Sequence, residues 1–260
     1  IIIKNLILFK LSTLTLIKSK LYVKSLLNMK INFFLILLTP LFCFTQIDIS
    51  KISKKLNPNS KTSKKEISKG LTEALSQGCN YAVNEASKEN GFNKNELIRI
   101  PFPKEAKKIK KTLADIGFKK SIQEFEIKMN EAAENASKEA LNILITEVKK
   151  IKFNDAKEIL KGEDNAATKY LEKKSYDSLF SKFTPIVKRS MAKVEVYKYW
   201  NPLIKKYNSI PLSKKINPDL EEYITSKTIQ SLFKLIEIEE KEIRTNPKKR
   251  ISEILKKVFK

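Results

Sequence analysis

Only four of the 52 basic residues are arginines, and the other 48 are lysines. Isoleucine and asparagine are also abundant, as in an AT-rich coding sequence, which raises Lys content without selection for a basic surface. Arg99, Arg189, Arg244 and Arg250 stand against that bias. A planar guanidinium can hold a carboxylate through two parallel hydrogen bonds, which an ammonium cannot. The plainer expectation for these arginines is a buried or half-buried structural ion pair. The sharper one is a ligand-binding site where Arg99, residues 162–168 and residues 189–200 come together. Its members are Arg99, Asp164, Asn165, Thr168, Arg189, Tyr199, Trp200 and Asn201. Arg99 and Arg189 would supply planar donors, and the junction after Gly162 a helix N-terminus with free N–H groups. Tyr197, Tyr199 and Trp200 would supply flat faces with polar tips at a helix break. On the structural alternative, Asp164 caps its helix, an arginine pairs with a nearby carboxylate, and Trp200 plugs the core.

Other chemistry is thinly represented. The chain has no histidine, so it lacks the usual acid–base group near neutral pH and the commonest zinc ligand. Ser–His and Cys–His nucleophiles are excluded with it. Five glycines offer no phosphate-cradling loop. Ser190…Lys193 and Ser231…Lys234 fit an S-x-x-K pattern, but so many lysines produce such matches by chance and the companion motifs are missing. Asp155, Glu158, Glu163 and Asp164 read as a solvated helix end rather than paired catalytic acids. No catalytic residue, metal site or cofactor is expected. Cys79, in a patch of small residues, reads as a buried structural thiol.

The segment 153–201 organises the elements that would carry these residues. Asn154 is placed to cap a short helix, Gly162 to end it in the left-handed region, and Asp164 to cap the next. Leu179, Phe183, Val187, Met191 and Val194 form one apolar stripe. Pro185 interrupts it, either opening a new helix behind Thr184 or kinking a continuous one. Upstream, residues 65–88 carry a narrow stripe of small and aliphatic groups that another helix can approach closely. Residues 89–103 are irregular, held extended by two prolines, and their Ile98, Ile100 and Phe102 need burial. A helix runs from Pro103 to Gly117 with Leu113 and Ile116 inward. A single long helix over 119–150 forms the spine of a bundle. Downstream, Asn201-Pro202 breaks the chain before a short helix at 203–207. Asn217 caps a long helix in which Glu240 and Arg244 make a surface ion pair. Asn246-Pro247 opens the last helix, and no strand pattern outlasts four residues.

The N-terminal region reads differently. The chain begins with Ile1; its first methionine, Met29, precedes Lys30 and an apolar run of about fourteen residues. That is short for a membrane span of roughly twenty residues and fits an export signal cleaved after Thr45, with an uncleaved anchor as the alternative. Leu41 and Phe42 before Cys43 do not suit lipidation. Residues 1–28 are upstream translation or an extended leader, 29–45 a signal peptide, 46–64 a flexible leader and 65–260 a helical domain. Without residues 1–45 the balance is 46 basic against 29 acidic, a net +17. The expectation is an all-α, single helical bundle of about seven helices following an export signal.

Six strings carry a resemblance: IRIPFP from Ile98, GEDNAAT from Gly162, PIVKRS from Pro185, KYWN from Lys198, NPDL from Asn217, and NP from Asn246 followed by LKKVF from Leu255. Over about residues 50–260 the chain resembles the bacterial domain of unknown function 4197 (DUF4197). That resemblance implies an exported helical protein and brings no activity or ligand. The first functional expectation is an exported, non-enzymatic helical protein of the bacterial envelope: periplasmic, outer-membrane-associated or secreted. Its partner would be envelope lipid or another envelope protein, without specific nucleic-acid binding. The alternatives are a binding protein for a small apolar or amphipathic ligand between helices, an enzyme using carboxylates, Tyr and Lys, and a basic surface that docks on phosphate groups.

Overall fold

Short polar signals and long apolar stripes divide the chain into helices. The computed structural model describes residues 62–213 and 218–260, which form nine α-helices with two 3-10 turns and no strand. The expected signal, the leader up to Lys61, Cys43 and the Asn217 cap lie outside the described residues. Helix α1 (Lys64–Ala86) starts at a capping box in which Ser63 Oγ accepts from Glu66 N at 3.2 Å and Ser63 N donates to Glu66 Oε2 at 2.9 Å. A 3-10 turn (Lys104–Ala106) leads into α2 (Lys107–Asp115), which ends at Gly117 with φ 95°, a conformation open to glycine. Then follow α3 (Lys119–Ser137), α4 (Ala140–Lys150), α5 (Ala156–Lys161), α6 (Ala166–Lys193) and α7 (Val196–Asn208). Asp219 caps α8 (Leu220–Thr245) through Glu222 N at 2.9 Å. Asn246 caps a 3-10 turn (Pro247–Lys249), and Ser252 caps α9 (Glu253–Val258).

The stripes all turn inward onto one buried cluster. Helix α8 packs on α1, α6 and α3, while α1 also meets α4, α5 and α9. The small residues of α1 permit this. A Cβ on Gly78 would lie 2.9 Å from Ile236 Cγ2 of α8, and one on Gly70 would lie 2.7 Å from Val258 Cγ2 of α9. Tight contact at two points of one helix face fixes where α8 and α9 sit.

After a series of turns over 89–98, residues 98–102 behave as a strand with no sheet. Ile98, Ile100 and Phe102 are buried, while Arg99 and Pro101 between them are exposed. Side chains replace the missing neighbouring strand. Buried Asn130 accepts from Ile100 N at 2.7 Å and donates to Ile100 O at 2.9 Å. Ser231 donates to Ile98 O at 3.0 Å, and Tyr223 to Pro101 O at 3.0 Å. The backbone polar groups of a buried irregular segment are satisfied in this way.

Several local expectations are corrected. The helix expected over 119–150 breaks at Lys138 and Glu139, where neither Gly nor Pro marks the turn. Of the two readings open for Pro185, the continuous helix holds, since it lies inside α6, and Pro202, expected to break the chain, lies inside α7. Both prolines are solvent-exposed, so the carbonyls left without donors can turn to water. The break falls instead at Glu195, in the left-handed region with φ 57°. Gly162 is extended, with φ −73° and ψ −165°, and Asp155 rather than Asn154 occupies the cap position of α5. Ile116 is exposed, because Leu113 and Ile109 already take the inner face of α2.

Candidate functional site

The turn between α5 and α6 is built around a carboxylate from another helix. Glu240 of α8, fully buried, reaches the first turn of α6 and accepts from Ala167 N at 3.0 Å, Thr168 N at 2.7 Å and Thr168 Oγ1 at 2.6 Å. It thereby caps α6 from outside, where free N–H groups and the positive end of the helix favour a negative charge. Asp164 and Asn165 make no side-chain cap, since Glu240 already holds those donors.

Arg244, one turn further along α8, completes the junction. Its Nε donates to Glu240 Oε1 at 2.9 Å, Nη1 to Leu160 O at 2.7 Å and Nη2 to Ile159 O at 3.1 Å. Its guanidinium carbon also sits 5.5 Å from the Phe259 ring centroid. Side-chain exposure is 9% for Arg244 and 0% for Glu240. The expected surface ion pair is thus a buried one. Anion and cation of one i,i+4 pair close the two open ends of a helix–helix turn, Glu240 at the N-terminus of α6 and Arg244 at the C-terminus of α5. Arg250 follows the same logic, donating to Ile243 O at 2.9 Å and Arg244 O at 2.8 Å near the end of α8.

The eight residues expected at a ligand site fall into three neighbourhoods. Asp164, Asn165 and Thr168 lie at the α5–α6 junction. Asp164 is exposed, 3.9 Å from Lys241, and Asn165 donates to Glu237 at 3.0 Å. Arg99 and Trp200 meet one turn of α3. Arg99 Nη2 binds Glu126 at 3.1 Å, and the adjoining Phe125 ring lies 4.8 Å from that of Trp200. Trp200 is buried in mid-helix against Phe102 and Phe125; its indole N–H has no acceptor among the described residues. Tyr199 is half-buried against the core and Asn201 exposed. Arg189 pairs at 2.9 Å with Glu139, on the α3–α4 break, both side chains exposed. Among the described residues no hydrogen bond, ion pair or ring contact joins these neighbourhoods. Arg99 and Arg189 each use one nitrogen; the planar fork is used at Arg244 and Arg250.

Four further carboxylates are buried, and each ties separate parts of the chain. Glu126 holds Arg99 and Lys110. Glu134 accepts from the backbone N–H groups of Asn90, Phe92 and Asn93 at 3.1–3.3 Å. Glu147 of α4 accepts from Lys150 and from Lys182 and Ser178 of α6. Glu239 accepts from Gln77 of α1 at 2.8 Å and from Lys249 at 3.0 Å. Burial raises the Glu134 carboxyl above the ordinary range, against the pull of its three N–H donors. At Glu147 burial pushes the same way, but Lys182, Lys150 and Ser178 outweigh it and the carboxyl ends below the ordinary range. Burial pushes the Cys79 thiol up to about 12, so it is inert as a nucleophile near neutrality.

Two open clefts among the described residues have mixed polar and apolar linings. A cleft of about 390 Å³ lies between residues 87–93 and α3, and one of about 340 Å³ lies beside the end of α4. The apolar pocket between α4, α6 and α8 leaves about 10 Å³, whereas a ligand cavity needs about 300 Å³ or more. Among the described residues no group of three or more His, Cys, Asp or Glu could hold a metal ion, and no helix is long and apolar enough to cross a membrane.

Residues 61–260 match the family described as a protein of unknown function, DUF4197, and the chain belongs to it. Neither the comparison with curated proteins nor that with solved structures gave a match.

Proposed function

We propose that this DUF4197 protein is an exported, non-enzymatic helical protein of the bacterial cell envelope. One observation carries the non-enzymatic part. The five buried carboxylates Glu126, Glu134, Glu147, Glu239 and Glu240 each accept from at least two donors that tie one chain segment to another. A general acid or base needs a proton path to a substrate; Glu126, Glu239 and Glu240 line neither open cleft, and Glu134 and Glu147, which each line one, are held there by three structural donors. The export part is supported by the sequence pattern from Met29 to Thr45, a basic start and a short apolar run. Export matters for such a fold, because one cysteine in the helical domain leaves no internal disulfide and stability rests on packing and buried ties.

The test is to express the gene with its own 5′ region in a bacterial host, fractionate the cells and measure the intact mass of the recovered chain. The expected species begins at residue 46 and appears in the periplasmic, membrane or medium fraction. Recovery of an unprocessed chain in the cytoplasm contradicts the reading.

A further inference from the structure

We infer that the cleft beside the end of α4 is a binding site for a phosphate group. The inference does not rest on export. The cleft, of about 340 Å³, is lined by Glu147, Lys150, Ile151, Lys152, Asn154, Tyr170, Lys174 and Ser175. Three lysines and one carboxylate line it, and that carboxylate is already paired. Glu147 accepts from Lys150 at 2.9 Å and from Lys182 across on α6. Its side chain is only 6% exposed, so it acts as a strut that ties Lys150 of the lining to Lys182 outside it. Lys152 and Lys174 have no carboxylate partner among the described residues.

The two unpaired lysines are also placed. Tyr170 donates its hydroxyl to Lys152 O at 3.1 Å, fixing the loop that carries Lys152, and its ring lies 5.9 Å from Lys174 Nζ. The ring in turn packs on buried Phe153, with centroids 5.5 Å apart. One aromatic thus contacts both segments that bring an unpaired lysine to the cleft, at the Lys152 backbone and at the Lys174 ammonium. Asn154 adds an amide at the rim, and Asp155, the next acid in sequence, does not line the space. A concave site with excess positive charge and a low-dielectric wall concentrates anions. A phosphomonoester, with about two negative charges and three acceptor oxygens, matches lysine point charges better than a single carboxylate does. The phosphate could belong to a soluble molecule or to a lipid headgroup, since the chemistry at the cleft is the same.

The experiment titrates the full chain with inorganic phosphate by calorimetry and with vesicles of phosphatidylcholine containing phosphatidic acid by sedimentation. Three proteins are compared: the parent, Lys152→Glu with Lys174→Glu, and Lys107→Glu with Lys108→Glu on the exposed face of α2. The second pair changes total charge equally at residues far from the cleft lining in sequence. The expected result is saturable binding of one phosphate per chain, weakened by about tenfold or more in the first double variant and by much less in the second. Should the first variant melt early, Lys152→Gln with Lys174→Gln replaces it, with the same expected direction. Vesicle binding lost with the same variant would assign the phosphate to a headgroup, and phosphate binding without vesicle binding to a soluble ligand. No saturable phosphate binding, or equal weakening by the two double variants, overturns the proposal.

Discussion

Glu134 and Glu147 are both buried glutamates on helices, yet their surroundings push them in opposite directions. Glu134 is held by neutral backbone N–H groups, so the cost of burying its charge dominates and its carboxyl lies above the ordinary value. Glu147 has two ammonium partners and lies below it. The signs for stability follow. A carboxyl lowered in the fold contributes stability that is present above the unfolded value, about 4.3, and is lost as pH falls through the folded value. A raised one favours the fold when protonated and loses that contribution as pH rises through its folded value. Urea unfolding from pH 7 down to pH 3 should therefore show a shallower acid limb in Glu147→Gln and a steeper one in Glu134→Gln. Identical slopes in the parent and both variants would refute this assignment. At this scale the sequence showed that arginine was scarce, but not which arginines use their geometry. The Glu240–Arg244 spacing is that of an exposed pair. What buries it is the α5–α6 turn, more than 70 residues away in sequence, which no local pattern announces.

Helix stripes were the most legible feature. The small residues of α1 implied a close neighbour, and α8 and α9 are that neighbour at Gly78 and Gly70. The two contacts should respond differently to a methyl group. Gly78→Ala presses on Ile236, a stiff, fully buried side chain in the middle of α8. Overpacking there should cost about 1–3 kcal/mol of global stability. Gly70→Ala presses on Val258 of the six-residue α9, which can move away as a unit. Hydrogen exchange should then quicken in α9, with the long helices unaffected. Equal global destabilisation by both changes would show that α9 is integral to the core rather than docked on it. The breaks were less legible. Proline punctuation pointed at 202 and left 185 open, helices in fact continue through both on a solvated face, and the real turns at 138–139 and 195 lack Gly and Pro. Packing of α3 and α6 on their neighbours overrides propensity at these points.

At the scale of the whole molecule, the bundle is an apolar core crossed by buried carboxylates, several of which join segments far apart in sequence. The all-α class, the single buried cluster and the family were legible from stripes and short motifs. The proposed composite site was assembled from rare residues, and rarity carries no information about which of them meet. The central claim is that buried charge in this protein holds the fold together, with Arg244 and Glu240 as its centre. Thermal melting of Arg244→Lys against Arg99→Lys and Arg189→Lys, all without ligand, tests it most directly. A lysine at 244 cannot bond Glu240 and two carbonyls at once. Leaving the Ile159 and Leu160 carbonyls without a donor should cost about 3 kcal/mol, which at this domain size lowers Tm by on the order of 6–12 °C. The other two replacements keep a single charged bond, exposed at Arg189 and half-exposed at Arg99, where Lys110 also holds Glu126, and should stay within about 1 kcal/mol. A melting temperature unchanged by Arg244→Lys, or lowered as much by Arg99→Lys or Arg189→Lys, would contradict the account.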